Sequence, residues 1–202
     1  MPRIIGLTGN IACGKTSVGQ MLLELGAERY IDADAVVHHL YERGQPIALQ
    51  VQEAFGPPVL AADGSVDRKA LGAVVFQNPE AMQRLESIVH PAVAKALIQE
   101  VAMVSATGIA IIDAVKLLEG GSGALCQSKW MVICPEEQEC ARLMTRNQMS
   151  EEEAWARIRA QPSIAARLPL IDEVIDNGGS LEETRRQVAA AFECFCRNFP
   201  PH

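Results

Sequence analysis

One segment near the start of the chain constrains the fold more than any other. Residues 9–16 read GNIACGKT and match the pattern G-x-x-x-x-G-K-[ST] in full. The apolar run RIIGLT precedes this segment, and an amphipathic stretch that would end at Gly26 follows it. In this order of strand, loop and helix, backbone N–H groups and a helix N-terminus surround bound phosphate groups. The sequence therefore predicts a loop that binds the phosphates of a nucleotide.

The residues of this phosphate loop have separate expected roles. Lys15 would bridge the β- and γ-phosphates of a nucleoside triphosphate, and Thr16 would place its hydroxyl on Mg²⁺. Cys13 is either a small filler, which we favour, or a thiol acidified by the helix N-terminus. ATP is favoured over GTP because guanine-specific GTPases use an Asn/Thr-Lys-x-Asp motif, and no Lys in this chain follows Asn or Thr. The residues expected to bind the nucleotide here are Gly9, Asn10, Ile11, Ala12, Cys13, Gly14, Lys15, Thr16 and Ser17.

Short apolar runs alternate with longer helical patterns along the chain. Five runs are typical of buried strands, and they read RIIGLT, RYIDAD, GIAIID, WMVIC and EVID. Helical patterns separate them, and this alternation is typical of an α/β fold with a parallel sheet. We therefore predict an α/β core with a five-stranded parallel sheet.

Two segments interrupt this core. Residues 35–105 contain no convincing strand and predict a helical domain, with Asn78-Pro79 and His90-Pro91 as helix starts. The core would then consist of residues 1–34 and 106–202. A second helical segment, rich in Arg, covers about 136–169, and Ser150 with Glu153 predicts a capping box in it. Ser180 with Glu183 repeats that signature at the last helix.

Charge and composition limit the possible partners. The net charge of −7 among 202 residues argues against a general nucleic-acid binder, so we expect a small-molecule partner. We also expect a monomer. Thirteen Arg against five Lys suit phosphate recognition, because a guanidinium grips oxygens in pairs. Six cysteines without a CxxC pair predict free thiols in the cytoplasm. The N-terminal apolar run is too short for a signal peptide or for a membrane span of about 20 residues.

Two carboxylates follow the second predicted strand, at the sheet edge where α/β proteins bind ligands. A kinase needs a carboxylate that orients the attacking hydroxyl and takes its proton, and Asp34 is our candidate. Asp32 would support Asp34 in this role or act as a ligand on the metal side. The alternative is that Asp34 only caps the following helix. Asp113 ends the third core strand, where a carboxylate would reach the Mg²⁺ shell through water, unless it belongs to an ordinary turn.

Arginines of the second helical segment are candidates for contact with the triphosphate. Arg142 and Arg146 lie four residues apart on one helix face, and Arg157, Arg159 and Arg167 follow. Some of them could close over the phosphoryl group as it is transferred. The alternative for each is a solvated basic helix face.

Taken together, these blocks resemble the dephospho-CoA kinase family over nearly the whole chain. The similar blocks are IIGLTGNIACGKTSV, YIDADAVVHHL, SVDRKALGAVVF, the HP of IVHP, RLMTRNQMSEEEAWARI and DEVIDNGGSLEE. The resemblance implies a three-layer P-loop kinase core with a helical substrate domain and a helical lid. It also implies transfer of the γ-phosphate of ATP, with Mg²⁺, to the ribose 3′-hydroxyl of dephospho-CoA.

The same resemblance assigns site residues. It gives catalytic roles to Asp34, Lys15 and Arg142, and it places Arg146 and Asn177 on the ATP side. Dephospho-CoA would be bound by Asp32, Asp34, His90 and Asp113. One block departs from the family pattern, because AVKLLEGG stands where Pro-Leu-Leu-Phe-Glu is usual and Lys116 takes the Pro position.

Two other functions remain open on the sequence. The first is another P-loop small-molecule kinase that acts on a nucleoside or nucleotide. The second is a nucleotide-dependent switch that holds ATP without transferring phosphate. The paired Asp32 and Asp34 weigh against a switch, since a pure binder needs no carboxylate for an acceptor.

Overall fold

The computed structural model describes residues 2–201 and confirms the predicted α/β fold with its five-stranded parallel sheet. The strands are β1 Arg3–Gly9, β2 Arg29–Asp32, β3 Ile109–Asp113, β4 Ser128–Ile133 and β5 Glu173–Asp176. Their spatial order is β2-β3-β1-β4-β5. The phosphate loop follows β1, which lies at the centre of the sheet and pairs in parallel with β3 and β4.

Helices account for most of the remaining chain. In the described part they are α1 Lys15–Glu24, α2 Ala33–Leu40, α3 Pro46–Phe55, α4 Arg68–Val75, α5 Pro79–Val101, α6 Glu136–Asn147, α7 Glu151–Arg159, α8 Ile164–Arg167 and α9 Leu181–Asn198. Short 3-10 turns cover Pro57–Val59, Ser122–Leu125 and Leu168–Leu170. Both predicted capping boxes, at Ser150 and at Ser180, are confirmed.

The three inner strands, β3, β1 and β4, are buried on both faces over most of their length, which explains why they are mainly apolar. Alternate residues such as Ile5 and Ile111 join one core cluster with residues of α1 and α9. Their strand neighbours Ile4 and Ile112 point to the opposite face and are also buried. The central strand is therefore held on both sides, so the loop that follows it starts from a fixed point.

The chain divides into two compact units. The helical unit runs from Asp32 to Glu100, and the core unit contains the chain up to Ile31 and from Val101 onward. The helical unit has its own apolar cluster, in which Tyr41, Val51 and Leu71 are buried. The helical unit begins three residues before the predicted segment 35–105 begins, and it ends five residues before that segment ends.

The prediction of a helix start at His90-Pro91 is wrong. Helix α5 continues through Pro91, and its start is at Asn78-Pro79 as predicted, where the Asn78 side chain accepts from the N–H groups of Glu80 and Ala81 at 3.1 Å. Proline lacks the N–H that would bond the carbonyl of Ser87. Val89 before it and Ala92 and Val93 after it pack into the cluster of the helical unit, so tertiary packing overrides the local signal.

We predict that Pro91→Ala stabilises the protein. The substitution restores an N–H donor inside α5, which is worth up to about 3 kcal/mol, less about 0.4–1 kcal/mol for the greater freedom of the unfolded chain. Pro79→Ala is the matched control, because the first helical position has no helical partner for its N–H. The midpoint of thermal unfolding, followed by circular dichroism, should rise more for Pro91→Ala than for Pro79→Ala. An equal or lower midpoint would contradict this explanation.

Candidate active site

The phosphate loop has the backbone of an anion site. Gly9, Ala12 and Gly14 have φ angles of 146°, 60° and 105°, which allow the loop to curl. Gly14 is the N-cap of α1 and offers no side chain to the first helical N–H groups. Those groups are therefore available to a ligand, and the helix dipole favours an anion there.

Arg142 binds the outward-facing side of this loop. Its Nη1 donates to the carbonyl oxygens of Ala12 at 3.1 Å and Cys13 at 3.2 Å. Its Nη2 donates to Gln138 Oε1 at 3.1 Å and to the carbonyl oxygen of Asn177 at 3.3 Å. One guanidinium thus joins helix α6, the loop and the segment after β5.

Asn177 binds the same part of the loop from another side. Its Nδ2 donates to the carbonyl oxygen of Cys13 at 2.8 Å, and its Oδ1 accepts from the hydroxyl of Thr184 at 3.1 Å. A side chain at Gly14 would overlap the Asn177 amide, so only glycine fits there. Thr184 is a residue that the sequence analysis missed, because a Thr inside a helix gives no local signal of such a contact.

Lys15 binds two carbonyls at the beginning of the loop. Its Nζ donates to the carbonyl oxygens of Gly9 at 3.1 Å and Asn10 at 3.2 Å. With Arg142 and Asn177, it completes a set of donors for four loop carbonyls, those of Gly9, Asn10, Ala12 and Cys13. Side-chain donors therefore bind these four carbonyls, and within the loop the N–H of Cys13 donates to the carbonyl of Asn10 at 3.4 Å.

A cavity of 690 Å³ opens beside the loop. Its volume is within the range of about 300–1,000 Å³ that is usual for small-molecule sites. The cavity brings together many of the predicted nucleotide residues, and it is lined by Ala12, Gly14, Lys15, Thr16, Ser17, Ala141, Arg142, Thr145, Arg146, Asn177, Gly179 and Leu181.

Some predicted nucleotide residues do not line this cavity. Ile11 packs against a cluster formed by helices α6 and α7, and Asn10 is buried. Burial raises the pKa of Cys13 to about 11, so the alternative of an acidified thiol is wrong and the buried filler remains. Arg157 and Arg159 are exposed and do not line the cavity either.

Asp113 lies buried at the end of β3, where Tyr30 fixes its orientation. The Tyr30 hydroxyl donates a short hydrogen bond to Asp113 Oδ2. A side chain at Gly19 of α1 would overlap the Tyr30 ring, so this glycine makes room for it. Sequence reasoning missed Tyr30, because an aromatic residue in a strand is usually a core residue.

Two charged residues that interact with groups of the loop are buried. Arg167 is 4% exposed, and its Nη2 donates to Asn10 Oδ1 in a short hydrogen bond. Glu139 is fully buried, and burial raises the pKa of its carboxyl to about 7, with Glu136 adding to the rise. On sequence alone Arg167 is one of several candidate arginines, and no local signal singles out Glu139.

In the helical unit, the structure decides which aspartate caps α2. Asp32 is the N-cap, and its Oδ1 accepts from the N–H of Ala35 at 3.1 Å. The alternative that Asp34 only caps the helix is therefore wrong, and Asp34 lies in the first turn with its carboxylate exposed. His90 is exposed on α5.

The residues present fit a phosphate-bound Mg²⁺ rather than a metal held by protein alone. Among residues 2–201 there is no group of three or more His, Cys, Asp or Glu side chains that could hold a metal ion. Mg²⁺ usually keeps several waters and takes only one or two protein ligands beside nucleotide phosphates. The exposed Thr16 hydroxyl, which lines the cavity next to Lys15, suits that arrangement.

The parallel sheet, the phosphate loop and the cavity define a P-loop nucleotide-binding protein. Residues 3–183 match the model of the Dephospho-CoA kinase family. A dephospho-CoA kinase from Symbiobacterium thermophilum is 45% identical over 196 residues, which are 96% of this chain and 82% of that protein. The chain therefore belongs to the dephospho-CoA kinase family, and the resemblance is confirmed.

Solved structures agree with this membership. A dephospho-CoA kinase from Campylobacter jejuni has a TM-score of 0.69 and 29% identity, and the match covers 98% of this chain and 99% of that one. A protein from Thermus thermophilus has a TM-score of 0.82 and 30% identity, with 96% and 97% covered. None of the described helices combines the length and the apolar character that a membrane crossing requires.

We predict that Arg142 contributes strongly to stability without any ligand. Arg142→Lys removes the planar fork that reaches three main-chain carbonyls, and should lower the free energy of unfolding by about 1–3 kcal/mol. Arg146→Lys is the matched control, because Arg146 lies one turn later and is exposed, with a side-chain bond to Asn147. Its effect should stay below about 0.5 kcal/mol. Urea unfolding measures both, and equal losses would contradict the role given to Arg142.

Proposed function

We propose that this protein transfers the γ-phosphoryl group of ATP to the ribose 3′-hydroxyl of dephospho-CoA, giving CoA and ADP. The observation that carries the proposal is the family match over residues 3–183, which includes the phosphate loop, the helical unit and Asn177. The loop geometry supports it independently, since the first turn of α1 without a side-chain cap and the cavity beside it suit a triphosphate.

On the nucleotide side, we assign the triphosphate to the loop amides, Lys15, Arg142 and Arg146. A phosphate oxygen is a charged acceptor and binds an ammonium group more strongly than a carbonyl does. Lys15 Nζ would therefore leave the carbonyls of Gly9 and Asn10 for the β- and γ-phosphates. When bound, Mg²⁺ would neutralise charge on these phosphates, with the Thr16 hydroxyl as its protein ligand.

On the acceptor side, Asp34 is the proposed catalytic carboxylate. The 3′-hydroxyl of the ribose would give its proton to Asp34 while its oxygen bonds to the γ-phosphorus. The bond from that phosphorus to the β–γ bridging oxygen breaks, and ADP leaves with the bond's electron pair. The carboxylate of Asp32 is only partly available to a substrate, because its Oδ1 already caps α2.

We assign contacts with dephospho-CoA to the residues that the sequence analysis expects there, His90 and Asp113 among them. Lys116 is exposed in the AVKLLEGG segment and is a further candidate for a substrate phosphate. The segment of residues 136–169 is the proposed lid. Its helices α6 and α7 share an apolar cluster that includes Leu143 and Ile158, and Ala12 of the phosphate loop packs against it. We also propose that the protein acts as a monomer.

The direct test is incubation with ATP, Mg²⁺ and dephospho-CoA, followed by detection of CoA and ADP by chromatography and mass spectrometry. We predict stoichiometric formation of the two products. Asp34→Asn should lower the turnover number about 10²–10⁴-fold, because it removes the proton acceptor. The thermal midpoint of this variant should stay near that of the wild type, since Asp34 does not cap the helix.

Asp32→Asn is the matched comparison, because Asn caps a helix about as well as Asp. It should reduce turnover less than Asp34→Asn does. Wild-type turnover that does not exceed that of Asp34→Asn would refute the proposed role of Asp34. Phosphorylation of adenosine or another nucleoside in place of dephospho-CoA would refute the proposed acceptor.

A further inference from the structure

Glu139 is a buried acidic group for which the reaction described so far has no use. It is the fourth residue of α6, and its side chain is fully buried. Neither of its carboxylate oxygens has a hydrogen-bond partner among the described residues. Buried polar groups are nearly always hydrogen-bonded, so a carboxylate of this kind needs an explanation.

The charges that face Glu139 are those of the phosphate site. Lys15 at the start of α1, Arg142 one turn later on α6 and Arg167 on α8 all favour its ionised form. Glu136 on the same helix opposes ionisation, and the desolvation caused by burial opposes it most. Glu139 also interacts with the buried thiols of Cys13 and Cys134, whose pKa values its charge raises.

None of the three cations is bonded to Glu139. Lys15 and Arg142 donate to loop carbonyls, and Arg167 donates to the side chain of Asn10. The carboxylate therefore supplies charge to this site without supplying a hydrogen bond. A residue with a purely structural role would be expected to bond one of these donors.

We propose that Glu139 is a charge-compensating residue of the phosphate site, and that binding of ATP drives a proton from solvent onto its carboxylate. In the free protein, Glu139 offsets part of the positive charge of Lys15, Arg142 and Arg167. A bound triphosphate brings its own negative charge to the same cations. One oxygen of Glu139 then takes a proton, which leaves a neutral carboxyl and removes the repulsion. The inference rests on the proposed function, because it requires ATP to occupy this site.

The sign of the pH dependence follows from this exchange. Glu139 in the free protein has a pKa of about 7, and a nearby anion raises it further. Between these two values ATP binding takes up a proton, so affinity falls as pH rises, by at most about tenfold per pH unit. At lower pH the carboxyl is already neutral, and this contribution to the pH dependence disappears.

The test is calorimetric titration with the β,γ-imido analogue of ATP and Mg²⁺ at pH 8, in buffers of different ionisation enthalpy. The wild type should take up more protons than Glu139→Gln, and Glu139→Gln should bind the analogue several-fold more tightly at this pH. The analogue's own protonation is common to all variants and cancels in the difference. Glu137→Gln is the matched control, because it removes one exposed charge from the same helix turn and should behave as the wild type.

Glu139→Asp keeps a titratable carboxyl and should restore proton uptake, which separates charge compensation from a packing role. Equal proton uptake and equal pH dependence in the wild type and Glu139→Gln would overturn the inference. If Glu139→Gln does not fold, Glu139→Met takes its place, because it also removes the charge and keeps a similar volume. Equal proton uptake at pH 8 in the wild type and Glu139→Met would overturn the inference as well. A wild type that fails to bind the analogue at every pH would instead refute the proposed function.

Discussion

The N–H groups of the phosphate loop can face a ligand only if the loop carbonyls face other donors. Backbone amide and carbonyl groups point in opposite directions, and a buried carbonyl without a donor is costly. Here Arg142 and Asn177 bind the carbonyls of Ala12 and Cys13, while Lys15 binds those nearer the start of the loop. These three side chains come from α6, from the end of β5 and from α1, so the anion site depends on the assembled core.

This dependence links stability to function in the core unit. Arg142 lines the nucleotide cavity and also binds the loop, so the group that would contact a phosphate already has a fixed position. Asn177 is fixed in turn by Thr184 on α9. Such preorganisation lowers the cost of ordering the site when a ligand arrives. The same arrangement concentrates the positive charges of Lys15, Arg142 and Arg167, and the buried carboxylate of Glu139 offsets part of them.

The sequence predicts the elements that depend on local patterns. The five strands, the phosphate loop and both capping boxes follow from short motifs, and all are observed. Local patterns do not predict contacts between distant segments. Asn177 bonds the carbonyl of Cys13 across 164 residues, and only the family resemblance places Asn177 on the ATP side. Glu139 is typical of an exposed acidic residue in the first turn of a helix, and nothing local reveals its burial. At Pro91 a clear local signal predicts a helix start that is not observed, because packing keeps α5 continuous there.

The central claim is that Asp34 and the phosphate loop act on the two ends of one phosphoryl transfer. It is tested most directly by a crystal structure with the β,γ-imido analogue of ATP, Mg²⁺ and dephospho-CoA bound together. We predict that the ribose 3′-oxygen lies within hydrogen-bond distance of the Asp34 carboxylate and about 3–3.5 Å from the γ-phosphorus, in line with the β–γ bridging atom. A complex with both ligands bound in which another hydroxyl occupies that position, or in which Asp34 contacts neither ligand, would contradict the account.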